Sequence, residues 1–269
     1  MEMATNMEQK SVVTTGRKCQ EKSRVLAQKT AARLGLPFVE RGNASFGDLC
    51  RIYGVKFVLV AKQDQLMLET EGGEMFFHPN ISHLRIKNLC HGACDHMANA
   101  MDLQQGMSIL DCTLGFGADA IVASYITGKA GRVLGLESSP LIEAVVSYGL
   151  AHFPAKKKET RDAMRRIETC HADAVNFLRE QEKDSWDIVY FDPMFRHPLM
   201  ESSSLAPLRF LADPRPLSKA LVQEALRVAR HRVVMKENSR SLEFERLGFN
   251  HTAGGTYSSV KFGYIEKGT

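Results

Sequence analysis

The stretch Asp111-Cys112-Thr113-Leu114-Gly115-Phe116-Gly117-Ala118-Asp119-Ala120 decides the fold of this 269-residue chain. It joins an apolar run, Ser108–Asp111, to a helix-like segment, Ala118–Thr127, where a strand hands over to a helix. Glycines at such a junction permit a tight turn and let a ligand approach the backbone closely. Working outward, the same rhythm repeats. Strand-like runs at Arg132–Glu137, Ile167–His171, Trp186–Asp192 and Arg232–Lys236 alternate with helix-like segments at Pro140–His152, Ala172–Gln181 and Leu217–Ala229. Repeated βα units predict an α/β fold, a mostly parallel sheet covered by helices on both faces. The end of the chain breaks the pattern. Val260–Glu266 follows Gly254-Gly255 and the polar Thr256–Ser259, which predicts a terminal antiparallel hairpin.

Before Met107 the pattern is mixed. Lys22–Leu34 reads as a basic amphipathic helix punctuated by Gly35 and Pro37. Lys56–Ala61 is a short apolar run, and Gln65–Thr70 alternates in strand fashion up to Gly72-Gly73. His78-Pro79-Asn80 marks a break, and Ala93–Leu103 reads as a helix. The expected organisation is a flexible polar lead-in over 1–10, a small α/β domain over 11–98, and a larger α/β domain over 99–269.

Composition sets bounds on the rest. An apolar fraction of 44% and a charged fraction of 25% allow an ordinary core. No apolar stretch has the length of a membrane span, and Met1–Lys10 contains no apolar segment of a secretory signal. Cys19, Cys50, Cys90, Cys94, Cys112 and Cys170 are scattered, which fits reduced thiols and a cytoplasmic protein. Cys90-His91-x-x-Cys94-Asp95-His96 lacks a second ligand set, so a helix lead-in is preferred to a metal site. The net charge of +4 permits a nucleic-acid partner without arguing for one. Two local clusters, Lys156–Lys158 with Arg161, Arg165 and Arg166, and Arg17, Lys18, Lys22, Arg24 and Lys29, suit either RNA phosphates or solvated helix faces.

The glycine loop fits two cofactors. Gly115-x-Gly117-x-x-Ala120, with Glu137 about 20 residues on, matches a dinucleotide fingerprint as well as a site for S-adenosyl-L-methionine. Three features favour the second. Asp111, ahead of the glycines, suits the cationic methionine end of that cofactor and would repel a pyrophosphate. Asp173, after the third strand, is placed to accept an adenine amino group, and Glu137 to accept ribose hydroxyls. The fourth strand ends in Asp192-Pro193-Met194-Phe195, which has no role in hydride transfer. That element suits an amino nitrogen of a nucleobase: Asp192 and the Pro193 carbonyl would accept its hydrogens, and Phe195 would stack on the base.

At these residues the chain resembles class I S-adenosylmethionine-dependent methyltransferases, and within them the bacterial RsmJ family. The likeness rests on Leu110–Ala120, Leu136–Ser138, Cys170–Ala174 and Val189–Phe195. It implies a Rossmann-like, mostly parallel seven-stranded sheet closed by the hairpin. It also implies methylation of a guanine N2 in small-subunit ribosomal RNA, with that RNA or the small ribosomal subunit as partner. Cofactor contacts carried over from the resemblance fall at Ala118 and Asp119, Glu137 and Ser138, Asp173 and Ala174, and Asp192; Asp111, Gly115 and Gly117 join them from the loop itself. Two departures stand out. Ala118 replaces the family's loop arginine, and Arg196–Ser204 is far less basic than the family's segment there. Rival readings are a methyltransferase acting on a protein or small molecule, and a non-catalytic RNA-binding module with a vestigial fold.

Overall fold

A computed structural model describes residues 10–193, 211, 213 and 215–268. The polar lead-in expected at Met1–Lys10 falls almost wholly outside them, as do Met194, Phe195 and Arg196–Ser204. The described residues form two compact units, one drawn from Met1–His78, Ser138–Pro154 and Pro198–Asp213, the other from Pro79–Glu137, Ala155–His197 and Pro214–Thr269.

The first unit is built on a four-stranded sheet in the order β1-β2-β3-β4, with β1 Ser11–Thr15, β2 Phe57–Lys62, β3 Gln65–Thr70 and β4 Gly73–Phe76. β1 and β2 are parallel; the other pairs are antiparallel. Parallel strands need a crossover, and here it holds two helices, α1 Glu21–Leu34 and α2 Phe46–Tyr53. α1 turns its small residues, Ser23, Ala27, Thr30 and Ala31, inward and packs on β1 and β2. α2 starts at a capping box in which Ser45 and Asp48 bond each other's backbone N–H. The apolar run Phe57–Ala61 is buried throughout, as expected for a strand covered on both faces. Arg41 donates two hydrogen bonds to Glu69 inside this unit, at 3.0 and 2.9 Å, with both side chains under a tenth exposed. A further helix, Pro140–His152, packs on β3.

In the second unit the chain runs α3 Asn80–Cys90, α4 His96–Met101, β5 Ser108–Asp111, α5 Ala118–Thr127 and β6 Arg132–Glu137. After the first unit's helix Pro140–His152, here α6, the second unit resumes with α7 Lys158–Arg165, β7 Ile167–His171, α8 Ala174–Glu180 and β8 Trp186–Phe191. α9 Lys219–Val228, β9 Ala229–Asn238, α10 Glu243–Leu247, β10 His251–Ala253 and β11 Val260–Glu266 complete it. The seven strands stand in the order β10-β11-β9-β8-β5-β6-β7. All pairs from β9 to β7 are parallel, and β11 pairs antiparallel with β9 and with β10. This is the mostly parallel sheet expected from the repeated βα rhythm, with the closing hairpin expected at the end of the chain and the Rossmann-like, seven-stranded form that the resemblance implies. The strand order reverses at β5, whose neighbours are β6 and β8, and crevices at such switch points hold ligands. Leu110, Leu136, Val189, Phe191, Val233 and Met235 from four adjacent strands are buried in one core cluster, which fixes those strand ends relative to one another. No helix among the described residues is long and apolar enough to cross a membrane.

Candidate active site

Three strand ends meet at the switch point. The turn after β5 has Gly115 at φ 49° and Gly117 at φ 72°, left-handed conformations that glycine adopts without strain. Gly115 N–H donates to Glu137 Oε2 at 3.2 Å, which ties the loop to the end of β6. Leu114 N–H donates to the Leu136 carbonyl at 2.8 Å, and Gly135 leaves room for the Leu114 side chain, since a Cβ there would sit 2.4 Å from Leu114 Cδ1. On the other side, Asp192 N–H donates to Thr113 Oγ1 at 2.6 Å, so the ends of β5 and β8 are held together.

Within this frame lies a buried cluster of charge. Asp119, in the first turn of α5, accepts from Arg85 Nη1 at 2.5 Å, from the Tyr190 hydroxyl at 2.9 Å and from Lys236 Nζ at 3.1 Å. Lys236 Nζ also donates to Asp192 Oδ2 at 2.7 Å. Arg85 extends the network to Asp95, which it meets at 2.7 and 2.9 Å. Burial works against the Asp119 carboxylate, but Lys236 and Arg85 outweigh it and hold the group at about 2. Lys236 is half-buried, which works against its charge, yet Asp119 and Asp192 raise its pKa and keep it charged. Lys236 also acts on Asp111, but too weakly to offset its burial. Only 2% exposed, Asp111 accepts a hydrogen bond from Thr113 N–H at 3.0 Å. Burial, with the charges of Asp119 and Asp192 added, pushes its carboxyl up to about 8. Asp192 is also pushed up by burial, with Lys236 opposing.

The cluster therefore holds more acid than base: Asp95, Asp111, Asp119 and Asp192 face Arg85 and Lys236. A ligand with a positive centre beside Asp111 would relieve that excess, whereas a pyrophosphate would meet carboxylates on approach. The donor set fits S-adenosyl-L-methionine, whose sulfonium and ammonium carry the needed charge.

The structure brings Asp111, Gly115, Gly117, Asp119, Glu137 and Asp192 to these strand ends, with Asp119 committed to three partners. Ala118 opens α5, and its carbonyl accepts from Ser82 Oγ at 3.1 Å. Asp173 makes its bonds elsewhere: it caps α8 through Asn176 N–H at 3.0 Å and accepts from Arg215 at 2.5 Å, with Ala174 as the first residue of that helix. Ser138 follows β6 directly and belongs to the first unit. Pro193 is half-buried, and Phe195 lies outside the described residues. Of the Cys90–His96 stretch, Cys90 Sγ lies 3.2 Å from the Tyr125 hydroxyl and Asp95 caps α4.

Four participants were not read from the sequence: Arg85, Thr113, Tyr190 and Lys236. Only Lys236 carries a local signal, a lysine closing the apolar run Val233-Val234-Met235 of β9, where burial requires a partner acid.

Comparison with known proteins agrees with this geometry. The family described as "Putative SAM-dependent methyltransferase" matches residues 53–251. The chain is 35% identical to "Uncharacterized protein YpiP" of Bacillus subtilis (strain 168) over 239 residues, covering 89% of this chain and 93% of that one. It is 26% identical to "Ribosomal RNA small subunit methyltransferase J" of Pseudomonas fluorescens (strain Pf0-1) over 222 residues, 78% of each chain. Among solved structures, the SAM-dependent methyltransferase NGO1261 from Neisseria gonorrhoeae shares the fold, with a TM-score of 0.62 at 19% identity and 95% of each chain covered. The resemblance read from the motifs is thus borne out, and so is the cofactor. Together the loop, the acid-rich switch point and these matches establish that the chain belongs to the family of S-adenosyl-L-methionine-dependent methyltransferases.

Proposed function

We propose that this methyltransferase acts on the exocyclic N2 amino group of a guanine in small-subunit ribosomal RNA, in the cytoplasm. The observation that carries the reading is the end of β8, where Asp192 is fixed by Thr113 through its backbone and by Lys236 through Oδ2. That anchoring leaves Asp192 Oδ1 to accept one amino hydrogen, with the Pro193 carbonyl as acceptor for the other. Two acceptors in fixed positions align the nitrogen lone pair for in-line attack and favour the positive charge that develops on it. Proline at 193 contributes no N–H to repel those hydrogens. The relatives named as small-subunit ribosomal RNA methyltransferases supply the substrate class.

Bound S-adenosyl-L-methionine supplies an electrophilic methyl group on a sulfonium that leaves as a neutral thioether. The amino nitrogen that accepts the methyl group would shed one proton, for which Asp192 is the carboxylate at hand. In this reading Asp111, Gly115, Gly117, Asp119, Glu137, Ser138 and Asp173 hold the cofactor or shape its site.

The test is nucleoside mass spectrometry of ribosomal RNA from wild-type and deletion strains, with complementation by wild-type and Asp192→Ala genes. Loss of N2-methylguanosine on deletion, restored by the wild type alone, is expected. An unchanged nucleoside profile removes ribosomal RNA as the substrate and leaves a protein or small molecule.

A further inference from the structure

The first unit carries a cleft that the methyl-transfer reading does not use. It encloses about 650 Å3 at the end of the sheet where the parallel strands β1 and β2 finish. Ligands of open α/β sheets bind outside the carboxyl ends of parallel strands. The volume is that of a small-ligand pocket, roughly 300–1,000 Å3.

Its lining combines two chemistries. Arg17 and Lys18, exposed just after β1, and Lys62, exposed at the end of β2, set three cations against one acid, Asp64. Gly16 permits this convergence, because a Cβ there would stand 3.1 Å from Lys62 Cγ. Much of the rest of the lining is aromatic. Phe76, at the end of β4, is 42% exposed, and Tyr148 and Phe153 come from the C-terminal end of α6. These rings are held by packing: Tyr148 stacks on His152 at 4.2 Å, and Phe153 meets the edge of Phe77 at 5.8 Å. Gly149 lets Phe77 press against α6, since a Cβ there would fall 2.2 Å from Phe77 Cγ.

Exposed lysines alone are a solvated edge, and one exposed phenylalanine is ordinary on a protein surface. Their meeting in one preformed cleft selects a ligand that offers both negative charge and flat apolar faces. Duplex nucleic acid hides its bases, and an acidic peptide lacks the flat faces; a single strand of RNA presents both. We propose that the first unit binds single-stranded RNA in this cleft, with a base stacked on Phe76 and flanking phosphates at Arg17, Lys18 and Lys62. The inference rests on the ribosomal RNA reading and gives that substrate a point of attachment separate from the acceptor guanine.

Fluorescence anisotropy of the full chain with a labelled single-stranded RNA of roughly 12 nucleotides, run over a salt series, tests it. The double variant Lys18→Glu/Lys62→Glu is expected to lose affinity at least about ten-fold and to flatten the log–log salt slope by about 1.4, the share of two phosphates. Phe76→Ala is expected to weaken binding by about 5- to 150-fold with the slope unchanged, and Phe76→Trp to restore it. Circular-dichroism melts confirm that each variant is folded. Equal RNA affinity in the wild type and all variants overturns the cleft while leaving the ribosomal RNA reading intact. Loss of the methylated guanosine in the deletion strain tests that reading by itself. Wild-type protein that binds the single strand no better than a duplex of the same sequence also overturns the proposal.

Discussion

Asp111→Asn replaces a buried carboxyl with an amide of nearly the same shape, and its effect on stability should run opposite to its effect on cofactor binding. Burial and the neighbouring Asp119 and Asp192 push the Asp111 carboxyl from 3.8 to about 8. An unfolded chain releases that proton above about pH 4, whereas the folded protein keeps it until about pH 8. Between those values the unfolded state binds fewer protons, so stability falls as pH rises. From about pH 5 to about pH 8 the fall is about 4 kcal/mol, at about 1.4 kcal/mol for each unit separating the two states. The amide does not titrate, and its oxygen can still accept the Thr113 N–H that Asp111 accepts at 3.0 Å. Without cofactor, the wild type should therefore lose melting temperature relative to the variant across this range, by on the order of 10 °C. Cofactor reverses the ranking. A ligand cation stabilises the ionised carboxylate, so the shift on adding S-adenosyl-L-methionine should grow with pH in the wild type and stay small in the variant. Scanning fluorimetry at a series of pH values, with and without cofactor, measures both. Parallel pH profiles for the two proteins would refute the burial argument. An undiminished cofactor shift in the variant would refute the partnership of Asp111 with the ligand's cation.

Lys236→Met leaves Asp119 and Asp192 short of a cation, and should lower stability by about 3 kcal/mol in urea titrations. Because Asp192 must be ionised to accept hydrogens, activity falls as pH drops through its pKa; losing Lys236 raises that pKa, so the acid limb of the pH–rate profile should move up by at least about one unit. Gly135→Ala drives a Cβ to within 2.4 Å of Leu114 Cδ1. The overpacking should cost about 1–3 kcal/mol and displace the glycine loop, read by calorimetry as cofactor binding weakened about ten-fold. Arg41→Met strands the buried Glu69, and should destabilise the first unit by about 3–5 kcal/mol, seen as faster proteolysis confined to that unit.

Much of the second unit was legible because its elements are apolar runs with glycine or polar breaks between them. β5, β6, β7, α5 and β11 fall where the pattern puts them, as does α6 of the first unit. β9 starts at Ala229, earlier than the expected Arg232, because it follows α9 with no turn residue to mark the change. In the first unit β1, β4 and α2 went unread, although Ser45-x-x-Asp48 is a capping box visible in the sequence. α3 went unread because it follows a proline break and buries only Ser82 and Ile86, too little to impose a helical period. The site divides in the same way. Asp111, Gly115, Glu137 and Asp192 announce themselves at strand ends. Arg85 does not, since it reaches Asp119 from 34 positions upstream and only tertiary folding reveals the pair.

The course of the chain through the two units also bears on synthesis and on engineering. α6 follows β6 in the chain, yet it packs on β3 in the first unit. A ribosome delivering the chain from its N-terminus thus cannot finish the first unit until β5 and β6 of the second have already emerged. No single cut separates the two. A fragment that stops at His78 lacks the helix that packs on β3, and one that starts at Pro79 carries that helix without the strand it packs on. Chimeras that exchange the first unit among such enzymes would need to move Ser138–Pro154 together with the N-terminal residues.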